Sequence, residues 1–146
     1  MPDSKKLKEF FISKDISFVG KNVFLNASIS SIVIEMNGKR IPPHLFFGCH
    51  IEDFVILGGE FRSAGNVFDY TGASAGAEYA NRMYEGNFPN KVFTNHAFIT
   101  LDLKGTGINN IAKIHPLSEF DESTIENDSV RELILKEKMQ STESQR

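Results

Sequence analysis

Cys49 and His50 stand side by side between a short apolar run, Leu45-Phe46-Phe47, and a stretch with helical spacing, and they are the residues of this chain best placed for chemistry. Ile51, Phe54 and Val55 fall at i, i+3 and i+4, and Gly58-Gly59 supplies a left-handed stop, so a helix is predicted over 51–58. A thiol just ahead of a helix N-terminus is acidified by the helix dipole, and His96, at the start of a later predicted strand, could take its proton. With Asn109, Asn110 or His115 to orient that imidazole, the set has the logic of a Cys-His hydrolase or deamidase. Cys49, between glycine and histidine in apolar surroundings, also reads as a small core residue. His50 can donate to a ribose hydroxyl, cap its helix or face solvent. Among His44, His50, Asp53 and His96 no pair has i, i+4 ligand spacing, so no metal site is predicted. Gly72-Ala73-Ser74-Ala75-Gly76 could cradle a phosphate through backbone amides or form a loose start to the next helix; no lysine follows it as in a Walker loop.

The elements that must hold these residues come in the order strand, helix, strand, helix. After the predicted 51–58 helix, Val67-Phe68-Asp69-Tyr70-Thr71 reads as a strand, and Ala77, Ala80 and Tyr84 share one face of a second helix. That order resembles the first half of the ADP-ribosyltransferase fold of poly(ADP-ribose) polymerases and their bacterial toxin relatives. Phe47-Gly48-Cys49-His50 stands where the family holds the adenosine ribose of NAD, Phe68-Asp69-Tyr70-Thr71 matches its tyrosine-bearing strand, and Ala77-Glu78-Tyr79-Ala80 is similar to its Ala-x-x-Tyr-Ala helix. The toxins that modify DNA carry His, Ile, Thr, His, Ile, Asp, Asn, Leu at the first of these sites. Here Phe47 to Phe54 occupy it, with Phe47 in place of the first histidine and His50 matching the second. The resemblance spans residues 44–84.

The resemblance implies an NAD- or ADP-ribose-binding protein of toxin or effector type, with NAD as cofactor in a cleft. His50 would hold the adenosine side, Gly48 would let the backbone approach, Tyr70 would stack on the nicotinamide, and Tyr79 would line the site from the following helix. Tyr70 and Tyr79 read equally as core aromatics. Cleavage of the glycosidic bond of NAD passes through an oxocarbenium-like state that a carboxylate stabilises. The family draws that glutamate from a late strand, whereas Ala97–Leu103 and Ile108–Ile114 carry none. Glu119 and Glu122, in the connector after Pro116, are the candidates; otherwise the chain binds a nucleotide without turning it over. A different class fits as well: a non-enzymatic partner protein such as an immunity protein, an export chaperone or a nucleotide sponge.

Read in order, Ser4 can cap an amphipathic helix over 4–13 with Leu7, Phe10 and Phe11 inward. Val23, Leu25, Ala27 and Ile29 then alternate as a strand. Past Ser30-Ser31 the inward set becomes Ile32, Ile34 and Met36, so a bulge or break is expected there. Asn37-Gly38 predicts a type I′ hairpin returning through Lys39-Arg40-Ile41. Ser123-x-x-Glu126 is a capping box for a last helix with Val130, Leu133 and Ile134 inward. The expected fold class is therefore α+β: a single domain over 1–140 with a mixed or antiparallel sheet split around a cleft, N- and C-terminal helices packed on it, and a disordered tail over 141–146. No internal repeat stands out; Ile51, Ile56 and Phe61 recur at five, as in a pentapeptide solenoid, but the rule ends at Asn66.

Composition fits one core: 146 residues, of which 40% are hydrophobic. A net charge of −3 does not by itself recruit phosphate backbones or anionic membranes, so nucleic acid is not implied by charge. The lone cysteine rules out an intramolecular disulfide and a cysteine-based zinc site. Met1 to Lys14 lacks the apolar core of a secretory signal, and no run reaches the ~18 apolar residues of a spanning helix. A cytoplasmic protein is expected, and an effector exported without a cleaved signal would have the same sequence features. The partners expected are a small nucleotide or a protein.

Overall fold

The computed structural model describes residues 5–16, 27–42, 45–46, 49–62, 89–95 and 114–144. Among them are five strands: β1 (Lys5–Ile12), β2 (Ala27–Glu35), β3 (His50–Leu57), β4 (Lys91–Phe93) and β5 (Ile114–His115). They form one sheet in the order β1-β2-β3-β4-β5, and every neighbouring pair is parallel. Two 3-10 turns, Leu117–Glu119 and Glu122–Thr124, lead to the helix α1 (Asp128–Ser144).

A parallel neighbour cannot be reached by a tight turn, because the chain must first travel back to the end where it began. The register shows how far it travels. Lys5 lies opposite Ala27 and Ser28 opposite His50, twenty-two positions on in each case. Asp53 meets Lys91, thirty-eight positions on, and Val92 meets Ile114, twenty-two again. The return path stacks as well: Met36 N–H donates to Leu57 O at 2.8 Å, Asn37 to Gly58 at 3.0 Å and Ile41 to Arg62 at 2.8 Å. From β2 to Ile41 and from β3 to Arg62, then, one stretch of chain lies on the next, as in a coil.

The mixed or antiparallel sheet, the cleft between its halves and the N-terminal helix are all corrected by this arrangement. Residues 4–13 were expected to be helical because Leu7, Phe10 and Phe11 have helical spacing, yet Lys5–Ile12 form β1. The helix predicted over 51–58 is corrected in the same way, since His50–Leu57 form strand β3. Each strand bends at one level. Ile29 faces inward, and so do Ile32 and Ile34, which means parity slips between Ser30 and Ser31, as the sequence predicts for this segment. The slip recurs at the same register in the neighbouring strands. Ile51 precedes Phe54 and Ile56, Leu7 precedes Phe10 and Ile12, and the ladder skips Lys8, Ser30 and Glu52. Two inward residues three apart, followed by one on the opposite face, imitate a helix.

That opposite face is also buried. The inner core contains Ile29, Ile32, Ile34, Phe46, Ile51, Phe54, Ile56 and Phe61. Phe54 packs edge-on against both Phe46 and Phe61, with ring centroids 5.5 and 5.6 Å apart. The outer face of the sheet presents Val33, Val55, Leu57 and Phe93, which are covered by Leu117, Phe120, Ile125, Val130 and Ile134. Burial on both faces explains continuous apolar runs such as Phe54-Val55-Ile56-Leu57.

At the turn after β2, Asn37 and Gly38 have φ of 45° and 82°, the two positive angles of a type I′ turn. The chain does not come back beside β2, however; Ile41 hydrogen-bonds to Arg62 of the next coil, so the hairpin is corrected to a corner. Leu45-Phe46 is a turn rather than a strand, closed by Cys49 N–H donating to Phe46 O at 3.4 Å. The last helix has Val130 and Ile134 buried and Leu133 half-buried, as expected. Its cap differs from the predicted box. Asn127 Oδ1 accepts from Val130 N–H at 3.1 Å, while Ser123 bonds to Asp121 within a 3-10 turn. The predicted elements at 67–71, 77–84 and 97–103 lie outside the described residues, and of the strand expected at 108–114 only Ile114, in β5, is described.

Candidate functional site

Cys49 directly precedes a strand, so the helix dipole that was to acidify its thiol is not there. The side chain is 2% exposed, its Sγ–H donates to Phe46 O at 3.2 Å, and burial pushes the thiol up to about 12. A nucleophile needs the thiolate, and this site disfavours it strongly. Of its proposed helpers, His96, Asn109 and Asn110 lie outside the described residues. His115 is on β5, stacked against Phe93 with ring centroids 5.6 Å apart.

His50 opens β3 on an exposed row. Its Nε2 is 3.7 Å from Glu52 Oε1, and Asn90 Nδ2 donates to the same oxygen at 2.7 Å. Asp53, half-buried beside them, has its carboxyl pushed up by burial and by the neighbouring Glu52, with Lys91 opposing. Directly behind this row the interior is filled by Ile29, Cys49 and Ile51. Gly48, Tyr70 and Tyr79 lie outside the described residues.

The two carboxylates expected to act with His50 are elsewhere. Glu119 is exposed and lies 3.3 Å from His115 Nδ1. Through the pairs His115–Phe93–Val55 that histidine sits level with Val55, five residues along β3 from His50. At the rise of an extended strand this is roughly 16 Å, too far for both groups to hold one ribose. Glu122 accepts from Lys138 Nζ at 2.5 Å, and the ammonium pulls its carboxyl below the ordinary glutamate value. Lys138 also donates to Phe120 O at 2.6 Å, so the pair fastens a 3-10 turn to α1. A cavity of about 140 Å³ lies where β2 and β3 end against α1, lined by Glu35, Leu57, Gly58, Leu133 and Glu137 among others. Nucleotide-sized ligands call for roughly 300 Å³ or more, and this cavity holds a few waters.

Among the described residues β1 is the end of the sheet. Inward residues stack in columns along the coil: Leu7–Ile29–Ile51, Phe10–Ile32–Phe54–Val92–Ile114 and Ile12–Ile34–Ile56. Within the coil these positions are sealed, Ile29 being 1% exposed and Phe54 0%. At the end strand Leu7 is 36% exposed and Phe10 37%, whereas Ile12 is 2% exposed. Among the described residues no strand pairs with the outer edge of β1. Lys6 and Lys8 flank Leu7 and are exposed, and Lys8 Nζ lies 2.6 Å from Glu126 Oε2. An unpaired strand edge with apolar side chains beside it can take up another extended chain through main-chain hydrogen bonds. Sequence reasoning assigned Leu7 and Phe10 to a helix and missed this surface. The usable signal was the recurrence of Leu7, Phe10 and Ile12 as Ile29, Ile32 and Ile34 and again as Ile51, Phe54 and Ile56.

Among the described residues no group of three or more His, Cys, Asp or Glu side chains could hold a metal ion, and no helix is long and apolar enough to cross a membrane. Comparison with family models, with curated proteins and with solved structures gives no match.

Proposed function

We propose that this chain is a non-enzymatic protein-binding module and that its contact surface is the open end of the coil at β1. The observation that carries this reading is the contrast within one column: Leu7 is 36% exposed, while Ile29 and Ile51, stacked beside it, are each 1% exposed. Stacked-repeat proteins hide such ends under a polar cap, since an uncapped end is a template for further pairing. The candidate catalytic groups support the same reading. Cys49 is held protonated, Glu122 is committed to Lys138, and Glu119 is far from His50.

Two measurements test the proposal together. A thermal-shift series with NAD and ADP-ribose should leave the melting temperature unchanged, because a bound ligand stabilises by mass action and none is expected. A photo-crosslinking residue placed at position 7 should give a discrete protein adduct in cells expressing the chain. The same residue at position 62, where Arg62 is exposed on another part of the coil, should not. A clear upward shift with either nucleotide, or equal adduct patterns from both positions, would overturn the reading.

A further inference from the structure

The slip of parity turns two consecutive side chains of a strand to the outer face of the sheet. In β2 these are Ser30 and Ser31, and in β3 Glu52 and Asp53, because Ile29 and Ile32, like Ile51 and Phe54, face the inner core. The second members of these pairs belong to a row across four strands, in which Glu9, Ser31, Asp53 and Lys91 are successive ladder partners. Neighbouring strands lie about 4.8 Å apart, so adjacent side chains in the row can meet each other or one shared group.

The outer members of the row are accounted for. Glu9 accepts from the Glu126 and Asn127 N–H groups, and Lys91 is exposed to solvent. The two between them are not. Ser31 is 7% exposed, yet among the described residues its hydroxyl has no hydrogen-bond partner; Asp53 is half-buried and has neither a hydrogen bond nor an ion pair, with Lys91 included. Such groups give up hydrogen bonds to water and gain none in return, which is uncommon in folded chains. Glu52 cannot relieve them, since its carboxylate already takes the Asn90 amide and faces His50. Burial and the charge of Glu52 push the Asp53 carboxyl up and Lys91 only opposes them, so negative charge is held here without full compensation.

A cation with several N–H donors answers both groups at once. One carboxylate and one hydroxyl are too few oxygen ligands for a metal ion, and among the described residues no third ligand joins them. A guanidinium is planar, is less strongly hydrated than an ammonium and spreads its donors in a fork that matches a carboxylate. We propose that Ser31 and Asp53 form a subsite for a guanidinium group on the outer face of β2 and β3. The fork donates to the Asp53 carboxylate and a further N–H donates to Ser31 Oγ. The subsite is separate from the strand end at β1 and does not depend on what that end contacts.

The test follows the backbone amide signals of the full isotope-labelled chain as methylguanidinium chloride is added at constant ionic strength. Saturable shifts at Ser31 and Asp53 are expected, and methylammonium should bind more weakly. Asp53→Asn should weaken binding at least about tenfold and Ser31→Ala about three- to tenfold, the scale of hydrogen bonds to a charged group. Glu132→Gln, which removes an exposed carboxylate of α1, should leave it unchanged. A second readout needs no ligand: because neither group has a partner in the free protein, Ser31→Ala and Asp53→Asn should each raise the melting temperature by about 2–4 °C. A glycine-rich peptide with one arginine separates the sources of the group. Tighter binding than methylguanidinium assigns the subsite to an arginine of a protein partner, and binding no tighter assigns it to a small guanidino compound. If signals shift alike beside every exposed carboxylate and Asp53→Asn does not weaken the effect, methylguanidinium is an adventitious ion only and the proposal is overturned. It is overturned too if methylammonium binds more tightly, or if both variants melt below the native chain, since the two groups would then already be partnered.

Discussion

Cys49 illustrates how one neighbour changes the meaning of a residue. Ahead of a helix it would be a nucleophile; ahead of a strand, with its S–H donating to Phe46 O and Ile29 and Ile51 around it, it is packing. The native protein should therefore resist iodoacetamide at pH 8, and labelling should rise only in denaturant, in step with loss of circular dichroism. Rapid labelling of the folded protein would contradict the buried thiol. Gly58 is fixed by two constraints at once. Its φ is +76°, and a Cβ there would lie 3.2 Å from Asn37 N and 3.3 Å from Met36 N, the backbone of the coil beneath. Gly58→Ala should cost about 1–3 kcal/mol in urea unfolding. Phe54→Ala removes the ring that touches both Phe46 and Phe61 in a fully buried position, and about 3–5 kcal/mol is expected.

Among the elements, α1 was legible and β1 and β3 were not. The periodicity of Val130, Leu133 and Ile134 is helical because a helix puts them on one face, whereas the same spacing at Leu7, Phe10 and Phe11 comes from a bent strand with apolar residues on both faces. Pattern alone cannot separate these cases, since it counts apolar positions without saying which face each one meets. The start of α1 depends on β1 directly. Glu9 accepts from the Glu126 and Asn127 N–H groups at 2.8 and 3.0 Å, a cap supplied from across the molecule. Glu9→Ala should cost about 0.5–2 kcal/mol, and Glu9→Gln, which keeps an acceptor oxygen, less than half of that. The Glu122–Lys138 pair makes the same cover sensitive to acid. Because the folded carboxyl titrates below its ordinary 4.5, its contribution is complete above that value and is lost as the pH falls through the folded value. Below about pH 4.5 the melting temperature of Glu122→Gln should therefore fall less steeply than that of the native chain.

At the scale of the molecule, the described strands follow an interval that reading in short windows overlooks. A recurrence at five was visible in Ile51, Ile56 and Phe61. The real interval, twenty-two, is carried by three strands and then interrupted where β3 reaches β4 after thirty-eight positions. The slip of parity at Ser30-Ser31 and the positive-φ turn at Asn37-Gly38 could be read, because each is fixed by residues next to one another. What those features meant could not, because a bend and a corner serve a hairpin or a coil equally well until the facing strand is known. For the same reason the proposed nucleotide site was assembled from neighbours in sequence. His50 and Glu119 were brought into one reaction by analogy, and the register separates His50 from His115, which Glu119 faces, by five positions along the strand and by the whole of β4.

The Glu9 cap and the Lys8–Glu126 pair join positions 117 to 118 residues apart in the chain. On a ribosome the strands emerge in the order in which they stack, so each can lie on the one before it as synthesis proceeds. The outer faces of Val33, Val55 and Phe93 stay bare until the last thirty or so residues are released, and only then is the first strand locked to the last helix. Chains stopped before Asp128 should bind the dye ANS and sediment as aggregates, whereas the full chain should do neither. Maturation is thus vectorial until its final step, and a single late event separates an adhesive nascent chain from a finished one.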